Sequence, residues 1–296
     1  MATIHLKAKL VAAITVLTFV SAPPALSADQ PSESPVECVR RTVQRELAAD
    51  NGETKAIFVD RKETPHGSQT KLIVETCEGM AGMLIAVNGR QLTPQERQAE
   101  DARLSGLASN ADQLRKKQKT EKEDVDHTTR IMKALPDAFL YEPDGTTAAN
   151  QQVGKPGDQL IRLKFRPNPK YSPPSHVEQV LTGMQGYLLI DAAQHRIAKI
   201  DGTLTKEVGF GWGILGRLNR GGNFLVEQAE VLPGRWEVTH MSLTFTGKEL
   251  LFKNLNIKSD EVFSDFRSAP SNLNFAQGVE LLKRQEAELA ENRQRP

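Results

Sequence analysis

The string Gly211-Trp212-Gly213-Ile214-Leu215-Gly216 has the spacing of a dinucleotide-binding loop. In that chemistry the glycines let backbone amides approach a pyrophosphate. It also needs a strand before the string, a helix after it and an acid about 20 residues on. Here the chain runs through Arg217 into a second glycine pair, Gly221-Gly222, where a helix should extend. No cofactor is therefore expected. The other chemically able side chains are scattered. His66, His127, His176, His195 and His240 have no histidine partner at i+4, and no HExxH, GxSxG or acid-rich calcium loop occurs. Local motifs supply neither a catalytic residue nor a metal ligand; a site converging from distant residues stays open. Cys38 and Cys77 are the two cysteines. In an oxidising compartment a bridge between them would stabilise by roughly 3–4 kcal/mol. The alternative is two separate thiols, and their spacing fits no metal motif.

The glycine-rich segment is unusual for a second reason. Residues 208–218 are apolar where a connection between strands is ordinarily polar. Phe210, Trp212, Ile214 and Leu215 read in three ways: a plug packed on the sheet, a mobile flap at the mouth of a hydrophobic cavity, or a contact with a membrane surface. As ligand-binding candidates they belong to the second.

These residues depend on the elements that carry them. Lys7 and Lys9, the uncharged stretch 10–20 and the small pair Ser27-Ala28 have the order of a secretory signal peptide. The stretch is well short of the ~20 residues that span a bilayer. Export to a periplasm or the extracellular space is expected, with 1–28 removed. The net charge is +1, or −1 without Lys7 and Lys9, so nothing marks a nucleic-acid partner. No second long apolar segment exists, which argues against an integral membrane protein after cleavage.

Within 29–92, Val36, Val39, Val43 and Leu47 recur at helical spacing, and β-prone runs at 56–60, 71–76 and 83–87 follow with turns between them. Segment 93–136 is a charged helical arm. Thr93-Pro94-Gln95-Glu96 is a capping sequence, a break falls near Ser109-Asn110, and Pro136 is expected to stop the helix. The arm carries nine Lys/Arg against eight Asp/Glu over 94–135, interleaved as on a solvated face. Leu104, Leu107, Leu114, Val125, Ile131 and Leu135 leave a thin apolar stripe for docking.

Segment 137–270 is the main sheet. A Gly/Pro/Asn-rich loop is expected over 142–158. The alternation at 160–166 gives a strand with one buried face, and 186–204 reads as a hairpin. Further strands follow at 224–228, 236–245 and 250–259, with turns at Pro233-Gly234 and Thr246-Gly247-Lys248. Short links without crossover helices make the sheet antiparallel. Trp236 and Val238 share one face of their strand, whereas Met241, Leu243 and Phe245 share the other. That change demands a bulge or a strong bend, or a strand buried on both faces. Segment 271–296 is a C-terminal helix, capped by Asn274 and Gln277, with a fraying tail.

The run Gly186-Tyr187-Leu188-Leu189-Ile190-Asp191, then Arg196-Ile197-Ala198-Lys199-Ile200-Asp201-Gly202, Phe210-Gly211-Trp212-Gly213 and Ser264-Asp265-Phe266-Arg267 resembles a group of exported bacterial proteins of unknown function. The meander also resembles the LolA-like periplasmic carriers of lipoproteins, whose incurved antiparallel sheet wraps helices around a greasy cavity. The expected fold class is α+β, a curved antiparallel sheet with flanking helices and an inserted helical arm. The function these readings imply is non-enzymatic binding or carriage of a lipid or acyl chain. The first alternative is an envelope scaffold whose partner docks on 94–135, and the second is a hydrolase with a convergent site.

Overall fold

Local sequence sets each helix start. Ser34 accepts from the Glu37 amide at 3.3 Å and opens α1 (Pro35–Ala48), with Val39 and Val43 turned inward. At α2 (Pro94–Ser109) the capping box forms: Thr93 Oγ1 accepts from the Glu96 amide, and the Glu96 carboxylate accepts from the Thr93 amide at 2.8 Å. Arg90 donates twice to the same carboxylate and, with the Thr93 bonds, holds its pKa down at about 2. Asn110 breaks the arm and opens α3 (Ala111–Ala138) by accepting from the Asp112 and Gln113 amides. Pro136 does not stop α3, which continues to Ala138. A proline in a final turn removes one hydrogen bond without blocking anything that follows.

The computed structural model describes residues 33–49, 55–210, 216–249 and 253–294; the expected leader, 1–28, lies outside them. The strands are β1 (Lys55–Thr64), β2 (Gly67–Thr76), β3 (Gly79–Val87), β4 (Arg90–Gln91), β5 (Phe139–Ala148), β6 (Gln159–Pro167), β7 (Met184–Asp191), β8 (Ile197–Leu204), β9 (Val208–Phe210), β10 (Gly216–Leu218), β11 (Asn223–Leu232), β12 (Arg235–Glu249) and β13 (Lys253–Ala269). A short α4 (His176–Gln179) precedes β7, and α5 (Phe275–Gln294) ends the described chain. The order β4-β3-β2-β1-β13-β12-β11-β8-β7-β6-β5 makes one antiparallel sheet, curved and not closed. The early strands of 55–91 and the later ones of 139–269 thus share a single sheet, joined where β1 pairs β13.

Two expectations about connections give way. Residues 142–148 belong to β5 rather than to a loop. Pro143 is tolerated there because β5 is the sheet edge and its register shifts between Pro143 and Thr146. Thr246-Gly247-Lys248 is not a turn but part of β12, paired with β13 on one side and β10 on the other. A Cβ at Gly247 would stand 2.0 Å from the Arg217 carbonyl oxygen, so this glycine serves a close strand approach.

The face change in β12 resolves as a bulge. Glu227 pairs with His240 but Gln228 pairs with Val238, leaving Thr239 extra. Val238 and Met241 thereby reach the same surface despite their odd spacing.

The sheet carries two separate cores on its helix side. One gathers Cys38, Val39 and Val43 of α1 with Leu163, Phe165, Leu188, Ile190, Ile197 and Phe245. The other gathers Ile57, Leu72, Val74 and Met83 with Leu104 of α2 and Phe275, Val279 and Leu282 of α5. The two cysteines are not joined in a disulfide. Cys38 is buried in the first core, whereas Cys77 is exposed in the β2–β3 turn, its Sγ 3.4 Å from the Ser271 carbonyl oxygen. One is locked in a core and the other sits on an exposed turn of a different part of the sheet, so a bridge would require rebuilding the first core.

Candidate functional site: a hollow beneath helix α3

The sheet curves and α3 spans it as a rod. Its Gln118 Nε2 donates to the Glu78 carbonyl at 2.9 Å beside one end of the span. Arg130 reaches Glu178 at 2.9 and 3.1 Å, and Arg40 of α1 reaches Asp137 at 3.3 Å near the other. Burial pushes the Glu178 carboxyl up, but hydrogen bonds from Ser175 and Arg130 outweigh it and hold the pKa below the ordinary value. A helix pinned along its length cannot sag into a concave surface, so a space remains between chord and bow.

That space is a hollow of about 590 Å³, within the ~300–1,000 Å³ range of small-molecule sites. Its floor includes one row of the sheet: Leu188 pairs with Ile200, Ile200 with Val226, and Val226 with Met241. The roof is Ile131, Met132 and Leu135 of α3 with Leu47 of α1. Phe139, Phe165, Leu181 and Met184 close the deep end, none more than 6% exposed. The opposite end is polar and more exposed. Glu46, His127, Thr128, Thr129 and Gln228 gather there, and Leu47 is 41% exposed. Glu46 accepts from the Ile197 amide at 2.6 Å and from Arg196 at 2.9 Å, which fixes the end of α1 to β8.

Other hollows differ in lining. One of about 520 Å³ against β1–β3 mixes the charged side chains of Asp60, Lys71, Glu100, Arg103, Lys117 and Glu121 with the apolar ones of Leu84, Leu104, Leu107 and Phe275, a more polar lining than that beneath α3.

The residues singled out in the sequence lie elsewhere. Phe210 is half-buried against the first core and does not line the hollow. Trp212, Ile214 and Leu215 lie outside the described residues. The flanks of their segment, β9 and β10, pair with each other, with Val208 buried in the first core. Antiparallel strands on both sides of the GxGxxG string also exclude the strand-to-helix setting of a dinucleotide loop. The lining was legible only as helical and strand periodicity, since its members come from α1, α3, β5, β6, the 180–183 turn, β7, β8, β11 and β12. No sequence signal marked their convergence except the β12 face change.

The apolar stripe of the arm is largely covered by the chain itself. Leu104 is fully buried, Leu107 and Leu114 pack on the second core, Ile131 and Leu135 roof the hollow, and Val125 stays 62% exposed. His240 is the one histidine that bridges carboxylates in the described residues. Nδ1 lies 3.2 Å from Glu227 and Nε2 lies 3.1 Å from Asp260, across β11, β12 and β13. Both ring nitrogens are taken up by carboxylates, which leaves no nitrogen to activate a nucleophile. Among the described residues no cluster of His, Cys, Asp and Glu is suited to a metal ion, and no helix is long and apolar enough to cross a membrane.

No protein-family model and no curated protein matches the chain. Among solved structures it is similar to the crystal structure of a DUF1329 family protein from Desulfovibrio piger, with 9% identity and a TM-score of 0.28 over 80% of this chain and 94% of that one. At that distance function has to be argued from this chain's own residues.

Proposed function

We propose that the protein binds a hydrophobic molecule, a lipid or acyl chain, between the curved sheet and α3, and that it acts by burial without chemistry. The observation that carries this reading is the largely apolar hollow of about 590 Å³ with buried apolar residues at one end and exposed polar ones at the other. An acyl chain burying ~300 Å² at ~25 cal/mol per Å² gains several kcal/mol before association and ordering costs. The signal-peptide pattern of 1–28 supports a site of action outside the cytoplasm, as does the resemblance of the meander to the LolA-like carriers. Entry is assigned to the end bordered by Leu47, His127 and Thr128. The covering of the arm's apolar stripe by the chain's own sheet weighs against a scaffold role for 94–135.

The test is mass spectrometry of organic extracts from natively purified protein, together with titration of a fluorescent fatty-chain probe. Lipid in the extract and saturable probe binding are expected. Met241→Glu places a charge in the floor and should weaken probe uptake at least tenfold. Thr239→Ser, at the bulge beside it, should not. A lipid-free protein that binds no probe defeats the reading.

A further inference from the structure

The hollow is polar at one end only, and the kind of polarity is informative. At that end stand Glu46, the hydroxyls of Thr128 and Thr129, the exposed His127 and the Gln228 amide. The charges are already matched: Glu46 is bound to Arg196, both only 10% exposed, and Arg196 also lies over the Trp236 ring at 5.6 Å. A carboxylate entering here meets the Glu46 carboxylate, and the charge of Arg196 is already neutralised by Glu46 although its buried Nε makes no hydrogen bond to a described residue. A quaternary ammonium finds both Glu46 oxygens bonded, one to the Ile197 amide and one to Arg196. An ionic head leaving water without a partner is penalised heavily.

Gln228 is different. Its half-buried side chain lines the hollow, and its amide makes no hydrogen bond to a described residue. The amide offers two donors and one acceptor oxygen. Register places it at the same end as Glu46. Glu227 pairs with Lys199 of β8, so Gln228 lies one step on, toward Ile197, whose amide Glu46 binds. An uncharged head that both donates and accepts would complete this end, whereas a bare alkane would leave the amide facing hydrocarbon.

Building on the proposed burial function, we infer that the ligand is a single-headed amphiphile with an uncharged, hydrogen-bonding head read by Gln228, its chain running toward Phe139 and Leu181. The head is an amide or alcohol in chemical class, not a carboxylate or an ammonium.

Four probes with the same fluorophore and the same saturated chain test this on the full mature chain at pH 8. They end in a primary amide, a carboxylate, a trimethylammonium or a methyl group. The amide probe should bind at least tenfold more tightly than either charged probe, a difference of about 1.4 kcal/mol. Gln228→Leu should cut amide binding five- to tenfold and leave the methyl-ended probe unchanged or bound more tightly; Gln228→Met gives the same reading if the leucine variant does not fold. A charged probe that binds as tightly as the amide overturns the inference while leaving burial intact. So does a Gln228→Leu variant that weakens amide and methyl probes equally. Failure of all four probes defeats the burial function itself.

Discussion

The two halves of this sheet are covered by helices in different ways. Over β2 and β3, α5 lies directly on the strands, and Phe275, Val279 and Leu282 are at most 2% exposed. Gly278 allows that approach: a Cβ there would stand 2.5 Å from Thr76 Cγ2 and 3.2 Å from Val74 Cγ1. Over β7, β8, β11 and β12 the covering helices are α1, which packs on the first core, and α3, which has no glycine and is held by polar bonds along its length. The facing residues are apolar in both halves. What separates a solid core from a hollow is how close the helix backbone can come, and we attribute that to one glycine in one half and to the polar restraints along α3 in the other.

The largest expected effect tests whether the halves differ in packing. Leu282→Ala empties a filled site and should lower stability by about 2–5 kcal/mol. Met241→Ala removes a side chain that already faces open space and should cost about 1 kcal/mol or less. Urea unfolding of both variants measures the gap, and equal losses would mean that the hollow is packed shut in solution. Next in size is the glycine itself. Gly278→Ala should destabilise by about 1–3 kcal/mol because Thr76 and Val74 must move. Gly106→Ala in α2, where an added Cβ meets nothing within 4 Å, should instead stabilise by roughly 0.5–1 kcal/mol. Thermal unfolding reads both signs, and a stabilising Gly278→Ala would remove close approach as the cause of the solid half.

The fold was mostly legible where a local rule acts alone. The capping sequence at Thr93, the break at Asn110 and the pair Asn274 and Gln277 are chemistry within four residues, and each forms as read. Antiparallel pairing followed from short links, and the β12 bulge from a broken alternation. Long-range causes were not legible. Gly247 reads as a turn in sequence because the strand that needs its missing side chain, β10, lies some thirty residues earlier. The cysteines read as a possible pair because spacing does not reveal that one is buried in a core and the other exposed on a turn. The hollow was harder still. Apolar alternation announces a buried face but not whether side chains or empty space will meet it. The apolar segment around Phe210 drew attention by composition, while the lining residues, Val226 and Ile200 among them, look like any strand interior.

A smaller effect probes the restraint on α3. Arg130→Ala leaves the buried Glu178 carboxylate with Ser175 and should cost about 1.5 kcal/mol, the low end for hydrogen bonds to a charged group. The loss should be local. Hydrogen exchange should quicken in 120–138 while α5 stays protected, and probe off-rates should rise. Exchange that quickens equally in both helices would show that the halves unfold as one and that α3 is not separately held.

The smallest expected effect sits at the seam. His240 links β11 to β13, so it joins the strand that floors the hollow to the strand that pairs β1. Its side chain alternates with Met241 and so lies on the sheet face away from the hollow. Burial pushes the imidazole pKa down, but hydrogen bonds to Asp260 and Glu227 outweigh it and leave the pKa raised. A pKa raised by folding stabilises the folded state fully below the unfolded value of about 6.5, and the gain is lost as pH rises through the folded value. His240→Gln should therefore lower stability by under about 1 kcal/mol at pH 5.5, with the difference shrinking toward pH 8.5. Probe affinity should not change at either pH, because the ring and the ligand occupy opposite faces. A tenfold loss of probe binding in His240→Gln at pH 5.5 would mean that the seam sets the curvature of the floor, and that the hollow depends on more than its roof.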